Sequence, residues 1–291
     1  MRQHLLSLLA LGTALGLAFP AWTKGEPAKN YADLKEARAD FSTKLTREGP
    51  PPKIYEAGPL PSGAEEIWYE SEGRKLMGWR SAEPTDGAKH PAVVFAHGGY
   101  FLKETAWEAT HGFRDAGYVV LTPALRAENG NPGHFEGFWG EVDDLVAAGE
   151  YLASLSFVDP DRVYLSGHSV GGTLAMLGSM YPSRFRAVAA SGGCPDTGLF
   201  FSYLPAYAPF DRKDKEEIRL RSPIELTSYI QKPLHLFYGD TETVYAEHAK
   251  KLCERAQKDK KECKLKIVKG NHKTSVPRAV AEEIKWFESL P

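Results

Sequence analysis

Cysteine is scarce in this sequence: three in 291 residues, at Cys194, Cys253 and Cys263, with none in a C-x-x-C pair. No H-E-x-x-H spacing occurs either, so no metal site is suggested and no cofactor is expected. Excess charge of one sign is also missing. The 36 Lys and Arg residues nearly balance 38 Asp and Glu, for a formal charge of -2, which gives no electrostatic reason to expect nucleic acid or an anionic membrane as a partner. Charged blocks are short and mixed, as from Lys258 to Glu262, and read as solvated turns. No internal repeat or low-complexity tract interrupts the chain, and its length suits one large α/β domain.

An apolar run of bilayer length is absent as well. The run from Leu5 to Ala18 is short for a span; it follows Arg2 and ends in small residues suited to a signal peptidase. Residues 1–21 are therefore expected to be an export signal, cut after Ala18 or Ala21. The mature protein would be periplasmic or secreted, with no membrane association after cleavage. Export permits disulfides. Cys253 closes a helical pattern and Cys263 opens a strand pattern across a polar turn, so the two are placed to bridge; the odd count leaves at least one thiol unpaired within the chain.

What the sequence does contain is organised around Arg162 to Met176, where an apolar β-branched run stops at Ser166 and a helical pattern starts after Gly172. At the break, Gly167-His168-Ser169-Val170-Gly171 fits G-x-S-x-G. In this nucleophile elbow a tight strand-to-helix turn lifts a serine hydroxyl above a sheet. Glycines flank it because side chains there would strike the neighbouring strand or helix.

Around the elbow the patterns alternate. A helix is predicted over Tyr31–Lys44, ended by Gly49 and Pro50–Pro52, and is expected to pack on the main domain. Glu65–Glu70 and Lys75–Arg80 read as an antiparallel hairpin at a sheet edge. Strands follow at Pro91–Ala96, Tyr118–Thr122, Val163, Ala187–Ser191, Leu234–Tyr238 and Leu265–Val268, with helices at Thr105–Ala116, Gly140–Leu155, after Ser169, and from about Val244 and Val276. Such alternation implies an α/β fold, a mostly parallel sheet with helices on both faces and ligands bound beyond the carboxyl ends of the strands. The expected division is a signal at 1–21, a helix and linker at 22–64, and a catalytic domain at 65–291 with an insertion at about 195–230. That insertion is rich in aromatics (Phe200, Phe201, Tyr203, Tyr207, Phe210). It either folds over the active site or buries its own rings.

A serine hydroxyl needs a base to become a nucleophile. In this architecture the order is serine, acid, histidine. Of the histidines after the acid-bearing strand, His248 lies in a helical pattern and is expected to face solvent, while His272 stands in a polar loop directly after the last strand and is the choice. The acid belongs in the loop after Tyr238, where Asp240 and Glu242 compete. Position favours Glu242, farther over the strand end; aspartate is the commoner acid, and Asp240 is alternatively suited to holding the turn. The oxyanion donors are expected at the backbone of Val170 and in the glycine loop Gly98-Gly99-Tyr100, with Gly99 or Tyr100 favoured. His97 is expected to pack beneath the site.

With these residues the sequence resembles the α/β-hydrolase superfamily, and within it the catalytic domain of the prolyl oligopeptidase (S9) and dienelactone hydrolase group. The likeness runs from about Glu65 to Pro291. It is carried by Val94–Gly99, Val158–Gly172, Ser222–Ile224 with Lys232–Leu234, and Phe237–Asp240 through His272. It implies Ser169 as nucleophile, His272 as base and a loop acid at Glu242 or Asp240. Three positions depart from the family pattern. Glu242 replaces the usual aspartate, with Val244 one residue closer than usual; Ala127 follows the family-like Arg126 where glycine is usual; and Val170 replaces a frequent tyrosine. The β-propeller of the large peptidases is not expected before the first strand. The function expected is a cofactor-independent serine hydrolase acting on a small-molecule or peptide substrate, as a peptidase or a carboxylesterase. A binding protein on the same fold is the alternative of a different kind.

Overall fold

Eight strands pair into one sheet in the order β1-β2-β4-β3-β5-β6-β7-β8 among the residues described by the computed structural model, which are 31–53 and 58–291. The export signal expected at residues 1–21 lies outside them. The strands are β1 (Ala64–Ser71), β2 (Arg74–Ser81), β3 (His90–Ala96), β4 (Val119–Pro123), β5 (Val158–His168), β6 (Val188–Ser191), β7 (Leu234–Gly239) and β8 (Cys263–Val268). All pairings from β4 through β8 are parallel, while β1/β2 and β2/β4 are antiparallel. The hairpin therefore sits at one edge, turning through Glu72 and Gly73, both at positive φ. This is the α/β-hydrolase architecture.

Alternation along the strands divides the core into two layers. Ala92, Val94, Leu165, Ala190 and Leu236 face a layer that includes Val142 and Leu145 of α4 (Glu141–Ser154), Leu174 of α5 (Val170–Gly178) and Leu252 of α8 (Thr243–Lys258). Val93, Phe95, Tyr164 and Phe237 face the other, with Trp107 of α2 (Glu104–Ala109), Phe113 of α3 (His111–Asp115) and Phe287 of α9 (Val276–Ser289). Truncating a side chain such as Leu165, which is fully buried, costs about 2–5 kcal/mol in cores of this kind.

Two helices differ from the sequence expectation. The helix expected over Tyr31–Lys44 is α1, only Leu34–Asp40. Asp33 caps its start by accepting from Glu36 N–H, and Glu36 reaches back to Ala32 N–H. Beyond Phe41 the chain extends instead, where Lys44 N–H and Thr43 Oγ donate to Glu217. The single helix expected over Thr105–Ala116 is broken at Thr110 into α2 and α3. There the Thr110 hydroxyl donates to Trp107 O, and so does Arg114. Helix α1 packs on the main body through Leu34 and Ala37, and buried Arg38 donates to the carbonyls of Phe138, Trp139 and Leu220.

The insertion holds α6 (Thr197–Tyr203), α7 (Lys215–Arg219) and three short 3-10 turns. Phe200, Phe201 and Phe210 bury themselves in its interior, whereas Tyr207 stacks on Tyr100 of the glycine loop at 4.7 Å. Cys253, in α8, is bonded to Cys263 at the start of β8, and Cys194 stays free and buried.

Beneath the elbow, α9 places Glu283 fully buried against β5, accepting from the Ser166 hydroxyl at 2.6 Å. Burial pushes this carboxyl up to about 7, against the opposing effect of the Ser166 hydrogen bond. The folded protein thus binds this proton more tightly than the unfolded chain. The stabilisation is full below the ordinary value of 4.5 and is lost as pH rises to about 7. Glu283→Gln should match the wild type in thermal unfolding near the ordinary carboxylate value and exceed it above neutrality, by up to about 3 kcal/mol. A stability difference that does not widen with pH would refute this account.

Candidate active site

The parallel strands deliver their carboxyl ends to one edge, with Ala96 in register with Gly167 and His168 with Ser191. The loops leaving β3, β5, β6, β7 and β8 therefore meet there. At the end of β5, Ser169 adopts φ 59 and ψ -119, a left-handed strain rare outside glycine. Close approach on either side enforces it. A Cβ on Gly171 would stand 1.9 Å from Ala96 O, and one on Gly167 would stand 2.2 Å from Gly171 O.

His272 reaches Ser169 from the loop after β8, with Nε2 2.9 Å from Oγ. Its Nδ1 lies 2.6 Å from Glu242 Oε1. The other carboxylate oxygen of Glu242 accepts Gly239 N–H at 2.7 Å. Burial works to raise the Glu242 carboxyl, but the hydrogen bonds from His272 and Gly239, with the His272 charge, outweigh it and hold the group below its ordinary value. The carboxylate is ionised, so Nδ1 carries the hydrogen and Nε2 is left to accept from the serine. A hydroxyl joined through imidazole to a carboxylate is the arrangement that moves a serine proton as the oxygen attacks. Gly192, at φ 58, leaves room for it: a Cβ there would come within 3.0 Å of His272 Nδ1 and 3.1 Å of Glu242 Oε1.

Of the two carboxylates left open by the sequence, Asp240 does not reach the imidazole. It is exposed, and it accepts the backbone N–H of Gly270 at 3.1 Å, bracing the His272 loop rather than its ring. His248 is half-buried instead of facing solvent, with Nε2 4.0 Å from Asp196.

The glycine loop closes the other side. A Cβ on Gly98 would lie 3.2 Å from Ser169 Cβ, and Gly99 is exposed at φ 79. Buried His97 pairs with Glu128 at 3.0 Å, and its Nδ1 lies 3.3 Å from Gly98 O. The desolvation that would lower the His97 value is outweighed by Glu128, so the imidazole is raised. With Gly98 O turned toward His97, the trans peptide directs Gly99 N–H the opposite way. Val170 is the first residue of α5, where backbone N–H groups lack intrahelical acceptors. The Tyr100 ring lies between Tyr207 and Phe135. Beside this loop opens a cavity of about 460 Å³ whose walls include Pro50, Pro51, Tyr100 and Phe101 but not Ser169.

Two residues carry more here than sequence reasoning assigned. Arg126 is 2% exposed, and its guanidinium is bound by Asp144, Glu136 and Glu72, so it is committed to the scaffold. Ala127 follows it at φ 61. His168, inside the elbow motif, donates from Nε2 to the His272 carbonyl at 2.7 Å. Its place beside the nucleophile was the available signal.

The fold and this constellation are those of a serine hydrolase of the α/β-hydrolase class. Residues 106–290 match the model of the prolyl oligopeptidase family, and the chain belongs to that family. It is 32% identical to human dipeptidyl peptidase 8 over 164 residues, covering 50% of this chain and 18% of that one. It is 27% identical to the uncharacterized peptidase YtmA of Bacillus subtilis over 203 residues, covering 65% of this chain and 77% of the relative. The chain therefore spans under a fifth of the dipeptidyl peptidase it matches. Among solved structures, the Pyrococcus horikoshii acylaminoacyl peptidase superposes with a TM-score of 0.63 at 18% identity, over 77% of this chain and 40% of that one. An esterase of Pyrococcus furiosus gives 0.64 at 20% identity, over 83% and 97%.

The two acidic side chains predict different losses. Glu242→Gln should lower kcat on a chromogenic ester by about 10³- to 10⁴-fold, as removal of the orienting charge does in such triads. Asp240→Asn, which removes the charge but keeps an oxygen to accept Gly270 N–H, should stay within about tenfold of the wild type. The reverse ranking would transfer the acid role to Asp240.

Proposed function

We propose that the protein is an exported serine hydrolase that cleaves an ester or amide bond, peptide bonds included, through an acyl-enzyme. The observation that carries this reading is the continuous contact from Ser169 Oγ through His272 to Glu242. Ser169 Oγ attacks the carbonyl carbon as His272 Nε2 takes its proton. The oxyanion is held by the backbone N–H groups of Val170 and the glycine loop, Gly99 foremost. His272 then protonates the leaving group as the tetrahedral intermediate collapses. Water, deprotonated by the same imidazole, releases the acid and restores the serine. No cofactor enters this sequence.

The substrate is a small molecule or peptide. Tyr207 of the insertion, stacked on Tyr100 of the glycine loop, suits an apolar group beside the site. Family membership favours a peptidase. Export is supported by the Arg2 and Leu5–Ala18 pattern and by the Cys253–Cys263 bridge, which suits an oxidising compartment. Among the described residues no helix is long and apolar enough to cross a membrane.

A matched ester and amide of one acyl group, with Ser169→Ala as control, test the reading. Turnover of both, abolished in the variant, makes the protein a peptidase; turnover of the ester alone makes it a carboxylesterase. Absence of both, with no fluorophosphonate label on Ser169, would leave a binding protein.

A further inference from the structure

His272 stands on an exposed loop. Asn271, Lys273 and Thr274 are exposed, and the His272 side chain is itself 42% accessible. Within the loop, Asn271 accepts from Lys273 and Thr274 N–H, which shapes the turn without fixing where it sits over the sheet. Besides the bonds of the His272 ring to Ser169 and Glu242 and those of Arg278 to the carbonyls of Lys269 and Thr274, two contacts tie it to the neighbouring strand ends: the exposed Asp240 to Gly270 N–H at 3.1 Å, and His168 Nε2 to the His272 carbonyl at 2.7 Å. Only the second acts on the backbone of His272 itself.

The source of that second contact is informative. His168 ends β5, paired on both sides in the interior of the sheet, and immediately precedes Ser169. Its ring lies 4.7 Å from that of His272, tilted by 39°. On the other side, its Nδ1 would be 3.3 Å from a Cβ on Gly98. The side chain is therefore wedged between the glycine loop and the base loop. We propose that His168 is a positioning residue: by donating from Nε2 to the His272 carbonyl, it fixes the base loop to the strand end that carries Ser169.

This proposal rests on the reading of Ser169 and His272 as nucleophile and base. Burial, then the proximity of the His272 charge, pushes His168 down to about 4, against the opposing effects of its own hydrogen bond to His272 and of Glu242. His168 thus stays neutral through the working range. Donation to a carbonyl selects the tautomer with hydrogen on Nε2 and leaves Nδ1 bare toward Gly98. A neutral donor holds the loop without adding a second positive charge beside the imidazolium that forms in the transition state.

Three variants test it in the full-length protein: His168→Leu, which fills similar space without a donor; His168→Gln, whose amide nitrogen reaches as far as Nε2; and His168→Asn, whose amide falls short. Active sites are counted by fluorophosphonate titration, so misfolded protein does not enter the rate. The Leu and Asn variants should lose kcat per titrated site by about 10- to 100-fold, the scale of a small misplacement of a reacting group, with KM changed by less than about threefold. The Gln variant should return to within about fivefold of the wild type, and the acid limb of the kcat/KM profile should not move in it. Should Leu fail to fold, Asn against Gln makes the same comparison. The proposal is overturned if Leu or Asn matches the wild type, if Gln loses as much as they do, or if the loss falls on KM alone. Failure of the underlying reading is seen separately: wild-type protein would not label, or Ser169→Ala would still turn over.

Discussion

The site depends on how closely α5 lies against β3. With Gly171 so near Ala96 O that no Cβ fits between them, the chain leaving β5 must reverse within one residue, and Ser169 takes the left-handed strain of that reversal. Conformational strain of this size, about 1–3 kcal/mol, persists only when its surroundings over-determine it. Here they do, through two packed layers of core on either face of the sheet and the two glycines of the elbow. The serine hydroxyl is thus presented before any substrate arrives.

Around that fixed point the fold arranges loops of graded rigidity. The glycine loop is held from below by the buried His97–Glu128 pair and from the side by the stack of Tyr100 on Tyr207. The turn that carries Glu242 is short, and Glu242 bonds back to the Gly239 N–H that opens it. The His272 loop is the exposed member of the set, and its ties run to the Glu242 turn through Asp240 and to the end of β5 through His168. Arg126 and Arg38, both buried and fully engaged, serve the same end at longer range by joining the hairpin, the N-terminal helix and the insertion to the main sheet.

Most of this architecture is legible in the sequence because burial on both faces of a parallel sheet forces unbroken apolar runs, and the run ending at Ser166 is one of them. The serine and the histidine are legible through their place at strand ends. The contest between Asp240 and Glu242 is not, since a two-residue offset in a turn decides which carboxylate passes over the sheet, and that depends on the Gly239 and Gly192 backbones. Thr110 breaks a helix that periodicity alone reads as continuous, because a side-chain hydroxyl competing for a backbone carbonyl leaves no hydropathy signature. The pairing of His97 with Glu128 joins positions that only the tertiary fold brings together.

The bridge between Cys253 and Cys263 encloses the Lys-rich turn around Lys258, Lys260 and Lys261, an exposed segment of the kind proteases nick. Glu242 lies upstream of that turn and His272 downstream. A cut within it would divide the polypeptide between the two side chains, yet the halves would remain one covalent molecule, with α8 and β8 still tethered. A chain stapled at this point would survive such a cut as a two-chain form that keeps both residues on the same body.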